Sequence, residues 1–109
     1  MTSNEMLTAY ESLSELTGNM LNAAREGEWD HLAALEQRCQ GYVGSLMQAA
    51  PVRLDENEQR AKVATIRTIL KNDAQIRALT EPRLHELQQR LSMTRSGQRS
   101  VEAYGAQRA

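Results

Sequence analysis

An aliphatic pattern between residues 63 and 91 constrains the fold more than any other feature, because it continues in phase past a proline. Its members recur mainly at steps of three and four, the spacing of one helix face. They are Val63, Ile66, Ile69, Leu70, Ile76, Leu79, Leu84, Leu87 and Leu91. Pro82 removes a backbone donor and crowds the preceding turn, yet a break would have no reason to preserve the phase. We therefore predict one long helix over about 55–93, kinked near Pro82. The alternative is that Thr80 caps a separate helix with Pro82 in its first turn.

Two shorter helices are predicted before this one, over about 4–26 and 28–49. The stripe of the first consists of Met6, Tyr10, Leu13, Leu16, Met20, Leu21 and Ala24. The stripe of the second consists of Trp29, Leu32, Leu35, Cys39, Tyr42, Val43, Leu46 and Met47. Ser3 or Asn4 is expected to cap the first helix, and Gly27 to end it in the left-handed conformation. Pro51 should end the second helix near Ala49, and Asp55 should cap the third.

The composition favours an all-helical fold. The chain has 109 residues, enough for one domain over 1–109, and 40% of them are hydrophobic, but only 4% are aromatic and none is phenylalanine. No run of alternating β-branched residues indicates a strand. The predicted class is therefore all-α: an antiparallel three-helix bundle with a long, kinked third helix. A weakly apolar, mobile C-terminal helix is predicted over about 98–106.

The third helix is predicted to be longer than its neighbours can cover. At about 1.5 Å per residue the first two helices span roughly 30–35 Å and the third nearly 60 Å. The leucines at its far end, Leu84, Leu87 and Leu91, then need another cover. That cover is the C-terminal segment, a second copy or another protein.

A stretch over residues 25–39, "REGEWDHLAALEQRC", holds the chain's one tryptophan and one cysteine, and a histidine. His31 and Cys39 lie about 12 Å apart along a helix, too far to share a metal ion. Cys39 lies in an apolar stripe without a histidine partner, which favours a small core residue. Trp29 is expected to pack on the end of the first helix. We predict no cofactor, no metal site and no enzymatic activity; a small helical enzyme of the chorismate-mutase type would need more buried cations.

Polar residues interrupt the long stripe. Asp73, Arg77 and Thr80 point into it, and Glu36 lies within the stripe of the second helix. One interpretation is a polar layer that sets the register of the helices by linking Glu36 to Arg77. The other is a polar notch that a partner helix enters.

Charge is divided unevenly along the chain. Residues 1–50 carry seven acids and two arginines, whereas residues 51–109 carry eleven basic and seven acidic groups. The overall charge of −1 does not favour nucleic-acid binding. Halves of opposite sign attract each other within or between chains, which favours self-association. Without a visible signal peptide or membrane span, and with a single cysteine, the protein is expected in the cytosol.

Three stretches carry a family resemblance. "REGEWDHLAALEQRC", "ATIRTILKNDAQIRALTEPRLHELQQRL" and the tail "VEAYG" together resemble the FliT family of bacterial flagellar export chaperones. The resemblance implies a helical protein that keeps the filament-cap protein FliD unassembled and guides it to the type III export ATPase or gate. It also implies binding to FlhC, a subunit of the master transcriptional activator, with repression of flagellar genes. A helical adaptor or secretion chaperone for another client is the alternative.

The resemblance also assigns surfaces. It implies that the third helix binds the client, that the N-terminal helices self-associate, and that the C-terminal helix controls access. The client-binding positions would be Ile66, Ile69, Leu70, Asp73, Ile76, Arg77, Leu79, Leu84, Leu87 and Leu91. The self-association positions of a homodimer would be Met6, Tyr10, Leu13, Met20 and Trp29.

Overall fold

A computed structural model describes the backbone of residues 1–108 and the side chains of residues 1–94. It contains three helices: α1 (Ser3–Glu26), α2 (Trp29–Gln48) and α3 (Glu56–Arg108). The described backbone contains no strand, so the prediction of an all-α fold is confirmed. The chain forms two units, Met1–Ala78 and Leu79–Ala109.

Local side-chain chemistry fixes both ends of α1. The cap of α1 is Thr2, so the predicted cap at Ser3 or Asn4 is wrong: the Thr2 hydroxyl accepts a hydrogen bond from the Glu5 amide at 3.1 Å. At the other end Gly27 has φ 73° and ψ 20°, the left-handed conformation that glycine adopts at little cost. The Gly27 amide donates to Ala24 O and the Glu28 amide to Ala23 O, at 3.3 and 2.9 Å. This Schellman arrangement confirms the predicted end of α1.

A reciprocal pair of hydrogen bonds starts α3. The Glu58 amide donates to Asp55 Oδ1 at 2.8 Å, and the Asp55 amide donates to Glu58 Oε1 at 3.1 Å. This capping box satisfies two amides, one in the first turn of the helix and one just before it. Asp55 is therefore the cap that the sequence predicted. Before it, Ala49 is extended at ψ 140°, and α2 ends at Gln48.

The core is made chiefly by α1. Its buried apolar side chains recur along one face: Met6, Ala9, Leu13, Leu16, Leu21, Ala23 and Ala24. Leu32 and Leu35 add to it from α2, and Ile76 is the only buried side chain among those described in α3. Trp29 and Met20 pack against the cluster of Ala23, Ala24 and Leu32, which confirms the expected place of the tryptophan.

The third helix is continuous where two breaks were considered. It includes Pro82, so the separate helix capped by Thr80 is wrong. It also continues to Arg108, so the predicted end near Met93 and the separate helix over 98–106 are wrong. The apolar stripe fades after Leu91, but no proline follows Pro82, and each of the two glycines after it, Gly97 and Gly105, costs a helix only about 1 kcal/mol. The predicted weak anchoring of residues 98–106 lies outside the described side chains.

A polar contact joins α1 to α3, at a place different from the one predicted. Asn72 Nδ2 donates to Thr17 Oγ1 at 3.1 Å, and the buried Thr17 hydroxyl donates to Ser14 O at 2.9 Å. Arg77 instead pairs with Asp73 on its own helix, and Glu36 forms no ion pair within residues 1–94. The predicted link between Glu36 and Arg77 is therefore wrong, because a carboxylate one turn away on the same helix is the nearer partner.

Candidate partner-binding surface

A leucine face in the second unit is uncovered. Leu84, Leu87 and Leu91 are 56%, 39% and 58% exposed. They lie three and four residues apart, so they share one face of α3. Every side chain from residue 81 to residue 94 is exposed. We call these three residues the leucine face; it presents the regular apolar spacing that helix-in-groove recognition uses.

The first unit contains an apolar groove of about 350 Å³. All three helices contribute to its lining, which consists of Tyr10, Leu13, Val43, Leu46, Met47, Ile66, Ile69 and Leu70. Several of these side chains are only partly covered: Val43, Leu70 and Met47 are 44%, 59% and 81% exposed. We call this feature the apolar groove. Its large exposed side chains mark a surface suited to another protein.

The predicted client-binding residues divide between these two surfaces. Ile66, Ile69 and Leu70 line the apolar groove in the first unit, whereas the leucine face belongs to the second. Leu79 belongs to the second unit and is 39% exposed, but it is part of neither the leucine face nor the apolar groove.

Three other predicted client-binding residues are placed differently. Ile76 is buried, which leaves it a role in packing rather than in direct contact. Asp73 and Arg77 form an ion pair in which the side chains are 46% and 62% exposed. Such exposed pairs contribute little to stability, so these two groups remain available to a partner at little cost.

Charged side chains border the groove. Lys62 Nζ lies 5.7 Å from the centroid of the Tyr10 ring, close enough for a cation–π interaction. Arg67 and Lys71 are exposed, and within residues 1–94 neither forms an ion pair. The groove is thus apolar at its floor and basic along α3.

The predicted self-association residues are engaged within the chain. Met6 and Leu13 are buried, and Trp29 and Met20 pack on the core cluster. Tyr10 is half-buried beside Lys62. A surface between two copies would have to use other parts of α1, or displace these contacts.

The corner between α1 and α2 is structural. The Cys39 thiol donates to Met20 Sδ at 3.4 Å. Burial, followed by the charge of Glu36, raises the pKa of this thiol, which therefore stays protonated and unreactive at neutral pH. The exposed Glu26 carboxyl forms a hydrogen bond with the Glu28 side chain. This bond, followed by the negative charge of Glu28, raises the pKa of Glu26. His31 is exposed on the first turn of α2.

The described residues contain neither a metal-binding cluster nor a membrane-spanning helix. Within residues 1–94 no three or more histidine, cysteine or acidic side chains are grouped to hold a metal ion. No helix in the described part of the chain is both long and apolar enough to cross a membrane.

Sequence reasoning missed the α2 wall of the groove. Val43, Leu46 and Met47 were assigned to a stripe, and a stripe does not show which of its members a neighbour covers. A signal was nevertheless present, because apolar residues occupy adjacent positions at 42–43 and 46–47. That doubling widens the apolar face beyond what one contact can bury. The doubled apolar positions therefore indicate that the end of α2 faces both α1 and α3.

These features define a class: a small all-helical protein with exposed apolar faces of the kind that suit protein–protein contacts. The family model described as "Flagellar protein FliT" matches residues 7–106. The chain therefore belongs to the FliT family, as the resemblance implied. FliT proteins are flagellar export chaperones rather than enzymes, which confirms the prediction that this chain is not an enzyme.

A solved structure agrees with the family assignment. The chain is similar to the crystal structure of flagellar protein FliT from Bordetella bronchiseptica, with 32% sequence identity and a TM-score of 0.69. The match covers 77% of this chain and 96% of the other. Comparison with curated proteins gave no match.

Proposed function

We propose that this chaperone binds the filament-cap protein FliD in the cytosol, keeps it unassembled and directs it to the type III export ATPase or gate. Membership of the FliT family supports the general role. The leucine face and the apolar groove supply the surfaces with which a chaperone would hold a client segment. An unassembled subunit has exposed assembly surfaces, and covering them prevents premature association.

One observation carries the proposal: Leu84, Leu87 and Leu91 are 39–58% exposed on a single helix face. Fully burying one leucine contributes about 1.5–3 kcal/mol. Partial burial of three by a client gives several kcal/mol before the costs of association are subtracted. The face therefore offers enough apolar area to hold an amphipathic client helix.

Leu84→Asp and Leu87→Asp test this surface separately. Each change places a carboxylate where the client must exclude water, so FliD affinity should fall at least about tenfold, which corresponds to about 1.4 kcal/mol. Isothermal titration of purified FliD into each variant measures the loss. Because both positions are exposed, the thermal unfolding transition should stay close to that of the wild type.

Met93→Asp is the matched control. Met93 is 74% exposed in the same unit but lies on the side of α3 away from the leucine face. The Met93→Asp variant should bind FliD with the same affinity as the wild type. If both leucine variants keep wild-type affinity, the leucine face is not the client surface. If the wild type itself does not bind FliD, the proposed client is wrong.

We also propose FlhC as a second partner, bound at the same or an overlapping surface with repression of flagellar genes as the result. The support is the family relationship. Competition tests it: a saturating amount of FliD should displace FlhC from the chaperone. A stable ternary complex would show that the two partners use separate surfaces.

We further propose an antiparallel, up-down-up order of the three helices, with α3 bent at Pro82. The order of contacts along the first unit supports it. Leu32 packs near Ala24 and Cys39 contacts Met20, so residue numbers fall along α1 as they rise along α2. Distance measurements between spin labels on α1, α2 and α3 would test the order and the bend.

Self-association stays a prediction for this chain. A homodimer is favoured by the uneven distribution of charge and by the uncovered apolar surface, although Met6 and Leu13 are already buried within the chain. Sedimentation equilibrium over a hundredfold concentration range tests it. A constant monomer mass would exclude the dimer at those concentrations.

A further inference from the structure

We propose that the apolar groove selects an acidic amphipathic helix, one whose apolar stripe is bordered by glutamate or aspartate. The inference rests on the proposed function, because the client supplies this helix. It adds the chemistry of the client segment and the side chains that recognise it. Both the groove and these side chains belong to the first unit.

Three ion pairs along α3 follow one rule. Arg60 pairs with Glu56, Arg77 with Asp73, and Arg90 with Glu86, each across one helical turn. In every case the acid precedes the arginine by four residues, the more favourable order. These three arginines are therefore neutralised by their own helix.

Arg67 and Lys71 break this rule. Four residues before Arg67 lies Val63, and four residues after it lies Lys71, so the two cations are neighbours on one face. Within residues 1–94 neither has a carboxylate close enough for an ion pair. Like charges in this relation destabilise a helix. A partner that brings carboxylates would remove that repulsion.

Arg67 lies beside exposed apolar side chains, and Lys71 follows it one helical turn later. At about 100° per residue, Arg67 is roughly 40° around the helix from Val63 and roughly 60° from Leu70. Val63 and Leu70 are 39% and 59% exposed, and Leu70 lines the groove. Arg67 and Val63 also line one open cavity near the start of α3. A helix placed on Leu70 would therefore have its own border residues next to Arg67.

A further positive charge, that of Lys62, lies one helical turn before Ile66. Lys62 lies on the other side of Ile66 and Leu70 by the same helical count. Its Nζ is 5.7 Å from the ring of Tyr10, which lines the groove from α1. The carboxylate of Asp73, one turn beyond Ile69, is already paired with Arg77. Positive charge thus predominates along this part of α3.

Charge at the border of an apolar contact acts mainly on partner choice and on association rate. Carboxylates on the incoming helix would be attracted to Arg67, Lys71 and Lys62 before contact. Lysines at the same positions would be repelled and would leave like charges facing each other. The arrangement therefore discriminates between helices with equal apolar stripes.

Two synthetic helical probe peptides test this selectivity. Both carry the same leucine stripe; glutamates border it in one and lysines in the other. Fluorescence anisotropy with the full chain should show the glutamate peptide binding at least about tenfold more tightly at low salt. In about 1 M salt, where charges are screened within roughly 3 Å, the difference should largely disappear.

A charge-reversal variant assigns the effect to the groove. Arg67→Glu with Lys71→Glu should reverse the preference, since both side chains are exposed and the fold does not depend on them. Arg38→Glu with Arg53→Glu is the matched control, because it changes the net charge equally and neither residue lies on α3 next to Ile66, Ile69 or Leu70. Circular dichroism should show the helical content of both variants unchanged.

Three outcomes would overturn the inference: equal affinity for the two peptides, no binding of either peptide, or equal effects of the two double variants. Failure of the proposed function gives a different result. In that case FliD does not bind the wild-type chain, while the preference for the glutamate peptide and its reversal by Arg67→Glu with Lys71→Glu persist. That result would support the preference of the groove for an acidic helix and would reject FliD as the client that supplies this helix.

Discussion

Single residues set the corner between α1 and α2. Gly27 holds a left-handed backbone at φ 73°, and a Cβ there would lie 3.8 Å from Trp29 Nε1. The space is sufficient, so the conformation alone makes glycine the suitable residue. The corner in turn brings Trp29 and Leu32 onto Ala23 and Ala24. One backbone angle therefore positions the core cluster of Ala23, Ala24 and Leu32.

Gly27→Ala should lower the free energy of unfolding by about 1–2 kcal/mol, because an L side chain is strained in the left-handed region. Urea unfolding followed by circular dichroism measures the change. Gly41→Ala is the control: a Cβ there meets nothing within 4 Å, in the interior of α2. It should raise stability by about 0.5–1 kcal/mol. Equal effects of the two changes would contradict this account.

At the scale of elements, α3 differs from α1 in how it is stabilised. α1 buries one face, whereas the described part of α3 buries only Ile76. The ion pairs of Arg60, Arg77 and Arg90 are exposed and contribute little each. The stability of the part of α3 in the second unit therefore depends on backbone hydrogen bonding more than on side-chain packing. A defect in that backbone should have a local effect.

Pro82→Ala should stabilise α3 locally, by up to about 3 kcal/mol, because it restores the donor to the Ala78 carbonyl and removes the ring. Hydrogen–deuterium exchange of the amides around residue 82 should slow down. Gln88→Ala, also at an exposed position of the helix, should change exchange by far less. If exchange near residue 82 is the same in Pro82→Ala and wild type, the proline does not weaken the helix.

The sequence predicted those features that depend on neighbouring residues. Gly27, Asp55 and Pro51 marked helix ends because capping and proline geometry act within a few residues. Contacts across the fold were not predictable in this way. The pairing of Asn72 with Thr17 depends on how α1 and α3 pack, and the groove depends on which stripe residues stay uncovered. The end of α3 was missed because apolar periodicity reports burial, and a helix can continue without it.

For the whole molecule, protection from solvent differs between the two units. The first contains every described buried residue, whereas all side chains over residues 81–94 are exposed. Helical amides without tertiary cover open more readily than those in a core. The two parts of α3 therefore differ in stability although one helix contains both.

Amides of residues 84–94 should exchange with deuterium much faster than those in the core-facing part of α1. Binding of FliD should slow exchange over residues 84–94, because a bound client covers the leucine face. Measurement at two protein concentrations is the control for self-association. Equal protection of both segments in the dilute, unbound protein would mean that the leucine face is covered in solution.

The exposed leucines also bear on turnover. Proteases cut where a chain opens locally, and a helix without cover opens more often than a packed one. A copy with no client would therefore be degraded sooner than an occupied copy. The cellular abundance of this chaperone would then follow the supply of its client, with no dedicated regulator needed to match them.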